Sequence, residues 1–204
     1  MRFTVVSASF RLFLAALILV SPFASASVPE PKQVIEERYQ SFMDLIESNI
    51  LVAGMPEDEL LALMDRELTP VIDFSRVARK VMGKFARTAS DDQLNQFTSI
   101  FKRTLVSTYA KGLDQLDQLE AVEIHKTVLD AKGRRAKVSS EIKIKGGQRY
   151  IVVYSLFLKD KKQWLIENIV VEGVNIGIVF RNQFAHYMEQ HGQNIDEVIA
   201  HWGK

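Results

Sequence analysis

Hydrophobic and polar positions follow a helical period in the first half of the chain and a strand period in the second half. Apolar residues recur at three- and four-residue spacing over 34–50, which predicts one long amphipathic helix. Gly54 and Pro56 interrupt this pattern, and a shorter helix with an acidic start is predicted over 57–67. The first half of the chain is therefore predicted to be helical.

Start and stop signals define the next two helices. Pro70 ends the second helix, because the residue before a proline is pushed out of helical backbone conformation. A third helix is predicted over 71–82, with Asp73 placed to cap its start. Ser90 followed three residues later by Gln93 is a capping-box pattern. It predicts the start of a long helix that extends to about residue 113.

The period changes to two from about residue 120. Short connections, among them the Gly146-Gly147 dipeptide, indicate antiparallel hairpins. The predicted fold class is α+β, with N-terminal and C-terminal helices packed on a four-stranded antiparallel sheet. The strands are predicted over 120–129, 134–145, 148–158 and 163–172, and the last two helices over 176–190 and 194–202.

The third predicted strand does not alternate between apolar and polar residues. Val152 and Leu156 belong to one face, while Val153 and Phe157 belong to the other. A strand that is apolar on both sides must be covered on both sides. Two interpretations follow: helices pack tightly on each face, or the helices on one face are held away from the sheet and leave an apolar chamber.

The N-terminal segment has the pattern of a secretory signal. Arg2 and Arg11 precede or flank an apolar run over 12–20, and a small-residue cleavage site follows at 24–26. The run is shorter than the ~20 residues that a membrane-spanning helix needs. We therefore expect a cleaved signal peptide over 1–26 and a single domain over 27–204. The absence of cysteine from the sequence excludes lipoprotein attachment and disulfides.

Charge and motifs disfavour several classes of function. A formal net charge of +1 argues against nucleic-acid binding, which favours a strong basic excess. No G-x-S-x-G, H-E-x-x-H, P-loop or G-x-G-x-x-G motif is present in the sequence. His186 and His191 are five residues apart and do not share a helix face. We therefore predict no catalytic residues, no metal site and no cofactor.

Charged residues in the predicted sheet form two groups. Glu167 and Glu172 lie in or beside an apolar strand, where an ion pair is expected rather than acid–base chemistry. A basic group follows the hairpins and is either a solvated sheet face or a docking surface for an acidic partner or anionic lipid headgroups. Its members are Lys132, Arg134, Arg135, Lys137, Lys143, Lys145, Arg149, Lys159, Lys161 and Lys162.

Five short motifs occur in an order and at spacings that resemble the MlaC-type periplasmic phospholipid-binding proteins, also called the toluene-tolerance family. The resemblance covers roughly residues 30–200. Asn168 and Asn175 depart from it, since aspartate and serine are common at these positions. The motifs are Glu-Leu-Thr-Pro at 67–70 with Val-Met-Gly at 81–83, the long-helix pattern over 88–110, Trp-Leu-Ile-Glu-Asn at 164–168, Val-Glu-Gly-Val at 171–174 and Phe-Arg-Asn-Gln-Phe at 180–184.

The resemblance implies a fold related to the cone-shaped nuclear-transport-factor-like domains, with helices wrapped over a twisted sheet. It also implies that phospholipid acyl chains lie inside while the headgroup stays outside. The implied function is to carry lipid across the periplasm between an outer-membrane complex and an inner-membrane ABC transporter with its lipid-binding accessory domain. This pathway maintains outer-membrane lipid asymmetry, and the protein is expected not to be an enzyme.

The lipid-binding wall is predicted to be apolar. Arg181 is interpreted either as a headgroup or partner contact or as a member of an ion pair. A rival hypothesis is a cone-shaped isomerase or hydratase that uses Tyr109, Tyr154 or Glu167, and another is a structural adaptor with a filled core. The predicted lipid-binding residues are Phe74, Val77, Val81, Phe97, Phe101, Leu105, Tyr109, Val153, Phe157, Val171, Val174, Ile178, Arg181 and Phe184.

Overall fold

A computed structural model of the protein describes residues 28–110 and 118–203. The predicted signal segment 1–26 lies outside these residues. None of the helices within them is long and apolar enough to cross a membrane.

The described residues form six α-helices, which match the predicted ones closely because the helix signals in the sequence are local. The predicted end of the long helix, near residue 113, lies outside the described residues. The Asp73 carboxylate accepts a hydrogen bond from the backbone N–H of Arg76 at 2.9 Å, which confirms the predicted cap. Ser90 and Gln93 form the predicted reciprocal capping box, with contacts of 3.0 and 3.1 Å. The helices are α1 (Pro31–Glu47), α2 (Glu57–Leu68), α3 (Phe74–Met82), α4 (Asp91–Ala110), α5 (Ile176–Gln190) and α6 (Ile195–His201), and a short 3-10 turn occupies Gly83–Arg87.

In the part of the chain that the structure describes, the sheet has five antiparallel strands instead of the predicted four, in the order β1-β2-β3-β4-β5. The additional strand is only two residues long, which is too short to show an alternating pattern of apolar and polar residues in the sequence. It is formed because Glu172 and Gly173 both adopt positive φ, at 48° and 78°, as a two-residue hairpin turn requires. The strands are β1 (Leu119–Leu129), β2 (Arg135–Ile144), β3 (Arg149–Lys159), β4 (Gln163–Val171) and β5 (Val174–Asn175).

The two faces of the sheet are covered unequally. Val138 and Leu156 on the inner face are almost fully buried, and the first turns of α1 pack against them through Val34 and Ile35. On the outer face of β3, Ile151 remains 43% exposed. The interpretation in which helices pack tightly on both faces is therefore wrong.

A second core holds α3, α4, α5 and α6 together. Phe97 and Phe184 meet edge to face with ring centroids 4.8 Å apart, and Phe101 meets Phe180 at 5.2 Å in the same way. Trp202, which follows α6, is 2% exposed and contacts this aromatic cluster. These edge-to-face contacts stabilise a solid helical unit, which meets the sheet mainly at β4 and β5.

Candidate functional site

An apolar chamber of about 440 Å³ lies where the solid helical unit separates from the inner face of the sheet. Helices α1 to α5 and strand β4 all contribute to its wall. This is the arrangement of the second interpretation above, in which helices are held away from one sheet face. The wall is formed by Phe42, Leu60, Met64, Leu68, Ile72, Phe74, Val77, Phe101, Leu105, Val106, Ile166, Asn168, Ile169, Val171, Ile176, Gly177 and Phe180.

Asn168 is the only polar side chain among the described residues of this wall, and it is already bonded. Its side-chain oxygen accepts a hydrogen bond from the backbone N–H of Gly177 at 3.0 Å. Asn175 caps the same helix by accepting from the N–H of Ile178 at 3.1 Å. The two asparagines that depart from the family pattern thus fix the start of α5 at the edge of the chamber. Apart from the Asn168 amide, the wall offers an occupant only apolar side-chain contact.

Strand β4 is joined to α3 on one side of the chamber by a buried carboxylate. Glu167 is 7% exposed and accepts hydrogen bonds from Arg76 at 2.7 Å and Lys80 at 2.8 Å, both on α3. The guanidinium of Arg76 also lies 4.0 Å from the centre of the Phe157 ring, on the outer face of β3. Because α3 and β4 both supply wall residues, this ion cluster helps to hold them together beside the chamber, along with the backbone hydrogen bond from Ile166 N–H to the Val71 carbonyl at 2.8 Å. We call Glu167, Arg76 and Lys80 the α3–β4 clamp.

The carboxyl of Glu167 is ionised as part of this clamp. Burial by itself raises the pKa of Glu167, but the hydrogen bonds and charges of Lys80 and Arg76 outweigh burial and the net pKa is lowered. The prediction of an ion pair at Glu167 is confirmed by these contacts. Glu172 bonds instead to the backbone N–H of Ile151 through its side-chain carboxylate.

Five of the predicted lipid-binding residues lie in the chamber wall. Phe74 and Val77 come from α3, Phe101 and Leu105 from α4, and Val171 from the end of β4. They share the wall because α3 and α4 turn their apolar faces toward the open space beside β4.

Other predicted residues lie outside the chamber. Val81, Phe97 and Phe184 are 1%, 0% and 0% exposed and belong to the solid helical core, where protein side chains surround them. Val153 and Phe157 point to the outer face of β3, because alternate residues of a strand point to opposite faces. An apolar pattern identifies buried faces but does not distinguish a filled interior from a hollow one.

The remaining predicted residues lie at the protein surface, apart from one whose side chain the structure does not describe. Val174 and Ile178 are 52% and 53% exposed. Arg181 is exposed and its side chain crosses Gly83, where an added Cβ would lie 3.0 Å from the arginine Nε. No carboxylate of the described residues pairs with Arg181. The interpretation of Arg181 as a member of an ion pair is therefore not supported. The side chain of Tyr109 lies outside the described residues.

Most of the missed wall residues come from α1, α2 and β4. Phe42, Leu60, Met64 and Leu68 lie on the apolar faces of the first two helices, which the sequence indicated only as core. Ile166 and Ile169 reach the same face of β4 because a register shift interrupts its pairing with β3 between Ser155 and Leu156. The apolar periodicity signalled the helices, but nothing local in the sequence signalled this irregularity.

A polar cleft of about 460 Å³ shares Ile72 and Phe74 with the chamber. Its most buried cation is Lys102, whose ammonium donates to Thr69 Oγ1 at 2.9 Å, pairs with Asp65 and lies 5.0 Å above the ring of Phe74. Burial lowers the pKa of Lys102. Since this cation is already paired, the cleft is not a preformed anion site.

One histidine group has the composition of a metal site. His191, Glu197 and His201 each place one potential ligand atom within 4.8 Å of the others. The rings of His191 and His201 are stacked 4.6 Å apart and nearly parallel, at 20°. A single ion cannot lie in the planes of two stacked rings, so binding would require the side chains to rotate. The group does not include any chamber residue.

The candidate residues of the rival enzyme hypothesis do not converge on the chamber. Glu167 is paired outside it, and burial raises the pKa of Tyr154, which disfavours its phenolate. No described wall residue is ionisable. The adaptor hypothesis required a filled core, whereas the interior contains a chamber. The fold and the chamber thus define an α+β protein with a preformed apolar chamber, a form that ligand sites commonly take.

Comparison with known proteins identifies the family. Residues 35–204 match the family model described as MlaC protein, so the chain belongs to the MlaC family. It is also similar to the toluene tolerance protein Ttg2D of Pseudomonas putida, with 26% identity over 190 residues that cover 93% of this chain and 87% of that protein.

A solved structure has the same fold. It is a phospholipid-binding protein from Ralstonia solanacearum in complex with a phospholipid, with a TM-score of 0.76 and 20% sequence identity. The alignment covers 84% of this chain and 94% of that chain. At this identity the likeness establishes the fold, and the α+β prediction is confirmed.

Proposed function

We propose that this protein is a periplasmic carrier that holds the acyl chains of a phospholipid in the apolar chamber and moves lipid between the two membranes of the envelope. The observation that carries the proposal is a chamber of about 440 Å³ whose wall has no ionisable side chain among the described residues. Membership of the MlaC family and the phospholipid named with the Ralstonia solanacearum structure support it.

The free energy of hydrocarbon transfer explains why such a chamber suffices. Exposing an acyl chain to water costs about 0.8 kcal/mol per methylene, so a phospholipid does not cross an aqueous gap unaided at a useful rate. An aliphatic and aromatic wall replaces one apolar environment with another, which keeps the transfer free energy between membrane and carrier small. A carrier needs this balance in order to release its ligand again.

The size of the chamber bears on how much lipid it encloses. Two acyl chains need a cavity in the upper part of the usual range of ~300–1,000 Å³, but the chamber measures about 440 Å³. We infer that full enclosure of two chains requires α3 and α4 to move away from β4. The α3–β4 clamp is the contact that such a movement would strain.

The cellular setting is part of the same proposal. Residues 1–26 have the pattern of a cleaved export signal, and 27–204 form the single lipid-binding domain. The family resemblance supports an inner-membrane ABC transporter complex and an outer-membrane lipoprotein or porin complex as partners.

Native mass spectrometry of protein purified without detergent tests lipid binding directly. We expect phospholipid masses bound to the folded protein, and release of free phospholipid when the protein is denatured. Protein that remains free of lipid after gentle purification and after incubation with phospholipid vesicles would refute the proposal.

A matched pair of substitutions tests whether the chamber is the site. Ile169→Asp places a carboxylate in the wall, whereas Val153→Asp places one at a half-buried position on the opposite face of the sheet. We expect the first to lose bound lipid and the second to keep it. Val171→Phe, which fills the chamber without adding charge, serves as a second variant if Ile169→Asp does not fold. Equal lipid occupancy in the wall and control variants would contradict the assignment.

A further inference from the structure

Two turns lie side by side at one end of the sheet. One joins β1 to β2 and the other joins β3 to β4, and the backbone N–H of Leu158 donates to the carbonyl of Arg134 at 2.9 Å between them. We call residues 126–137 and 159–162 the hairpin corner. The chamber wall contains none of these residues.

The hairpin corner concentrates positive charge in a chain whose formal net charge is only +1. It holds eight basic residues and two acidic ones, Asp130 and Asp160, so its formal charge is 8 − 2 = +6. The basic residues are Lys126, Lys132, Arg134, Arg135, Lys137, Lys159, Lys161 and Lys162.

Most of these cations have no ion-pair partner among the described residues. Arg135 lies 4.0 Å from Glu167 and Lys159 lies 3.3 Å from Asp73. The other six basic side chains have no carboxylate within ion-pair distance among residues 28–110 and 118–203. The Asp130 carboxylate accepts backbone N–H groups of its own turn instead, at 2.7 and 3.1 Å. The positive charge of the corner is therefore available to a partner.

Two large apolar side chains are exposed among these cations. Val128 and Leu129, at the end of edge strand β1, are 56% and 49% exposed. Lys137 is the cross-strand partner of Val128, so a cation lies beside this exposed apolar side chain on the same face of the sheet. Exposed apolar side chains with basic neighbours are typical of surfaces that lie in a membrane interface.

We propose that the hairpin corner docks on the anionic surface of a lipid bilayer. The unpaired cations would contact phosphate and other anionic headgroup groups, while Val128 and Leu129 would enter the boundary between headgroups and acyl chains. An acidic protein surface would be matched by the cations but would leave the two apolar side chains without a role. The inference rests on the proposed carrier function, because a carrier must approach the membranes between which it moves lipid.

The electrostatic part of this docking has a predictable size. Each basic residue near an anionic bilayer strengthens binding by about fivefold. Removal of three cations from the corner should therefore weaken binding on the order of 100-fold. The attraction should also fall as salt is added, because the screening length is about 10 Å at 0.1 M ionic strength.

Sedimentation with vesicles tests the proposal. Vesicles that contain phosphatidylglycerol are compared with vesicles of phosphatidylcholine alone, using the wild type and Lys132→Gln/Arg134→Gln/Lys162→Gln. The control Arg87→Gln/Arg103→Gln/Lys145→Gln also removes three exposed cations, but from outside the corner. None of the three forms an ion pair with another residue that the structure describes. We expect salt-sensitive binding of the wild type and the control to anionic vesicles, and loss of binding in the corner variant.

The apolar contribution is tested separately. Val128→Ser/Leu129→Ser should weaken binding at every salt concentration, whereas Ile50→Ser/Val52→Ser, which changes two other exposed apolar residues, should not. All of these positions are at the surface, so circular dichroism should show folded variants.

The outcomes separate this inference from the carrier function. If the wild type does not bind anionic vesicles, or if the corner and control variants bind equally, the bilayer proposal is refuted and an acidic protein becomes the better occupant. Native mass spectrometry of the same preparations reports lipid in the chamber independently. Protein that contains lipid but does not bind vesicles would refute only the docking surface. Protein that contains no lipid would refute the carrier function.

Discussion

Replacing Glu167 with glutamine removes the negative charge of the α3–β4 clamp while keeping the size of the side chain. In the native protein this carboxylate is 7% exposed and accepts hydrogen bonds from Arg76 and Lys80 at 2.7 and 2.8 Å. Hydrogen bonds to charged groups contribute about 1.5–3 kcal/mol each. Arg76 and Lys80 are 36% and 46% exposed, so water can partly solvate them when the carboxylate is gone.

We therefore expect Glu167→Gln to lower the free energy of unfolding by about 2–4 kcal/mol, less than the sum of two such bonds at full strength. For a protein of this size, 1 kcal/mol corresponds to a shift of about 2–4 °C in Tm. Thermal unfolding followed by circular dichroism should thus show a Tm lower by roughly 5–15 °C. The exposed Glu123–Lys143 pair provides the control, and Glu123→Gln should melt with the wild type.

The effect should depend on pH in a defined direction. The pKa of Glu167 is lowered in the folded protein. Its stabilisation is therefore fully present above the unfolded pKa of about 4.3 and is lost as pH falls through the folded pKa. The difference in Tm between wild type and Glu167→Gln should be largest near neutral pH and should shrink in acid. A variant that melts with the wild type at neutral pH, or a difference that persists unchanged in acid, would refute the clamp.

Three further substitutions separate the chamber from the solid core and from the helix caps. Gly177→Ala places a Cβ 2.5 Å from Asn168 Oδ1, so we expect a loss of about 1–3 kcal/mol in urea unfolding and reduced lipid occupancy; unchanged values would contradict the close contact. Phe97→Ala empties a fully buried core position and should cost about 3–5 kcal/mol in thermal unfolding while the folded fraction keeps its lipid. Loss of lipid from folded protein would place Phe97 in the chamber wall instead. Asn194→Ala removes the acceptor of two N–H groups at the start of α6 and should lower the stability of this helix by about 1 kcal/mol. Amide hydrogen exchange of Asp196 should then become faster, and unaltered exchange would show that the cap is dispensable.

Local signals in the sequence predicted the elements well because their causes are local. The caps at Asp73 and Ser90 depend on residues three positions away, and both are present in the structure. Four of the strands follow from a period of two. The fifth strand, which the sequence did not predict, is only two residues long. Its turn depends on Glu172 adopting positive φ, a conformation that the residue type does not favour.

The chamber wall depends on distances that no local pattern contains. Phe97 and Phe101 are one helical turn apart on α4 and are almost equally buried, yet Phe101 lines the chamber and Phe97 packs in the core. Both belong to the same apolar stripe, so periodicity assigns them the same role. The difference arises because Phe97 is enclosed by Phe184 and Trp202, whereas Phe101 contacts Phe180 of α5 on one side and borders the gap beside β4 on the other.

The order of helices and strands, the apolar faces that must be buried and the family of the chain can all be read from its residues. Which of those faces remain hollow, and which charges find partners, depends on how the elements pack together. Glu167 pairs with Arg76 at a separation of 91 residues, and the two basic turns of the hairpin corner meet because β2 and β3 are neighbours. Burial of apolar surface drives collapse without specifying how completely space is filled, so the size of a cavity is a property of the packed elements together.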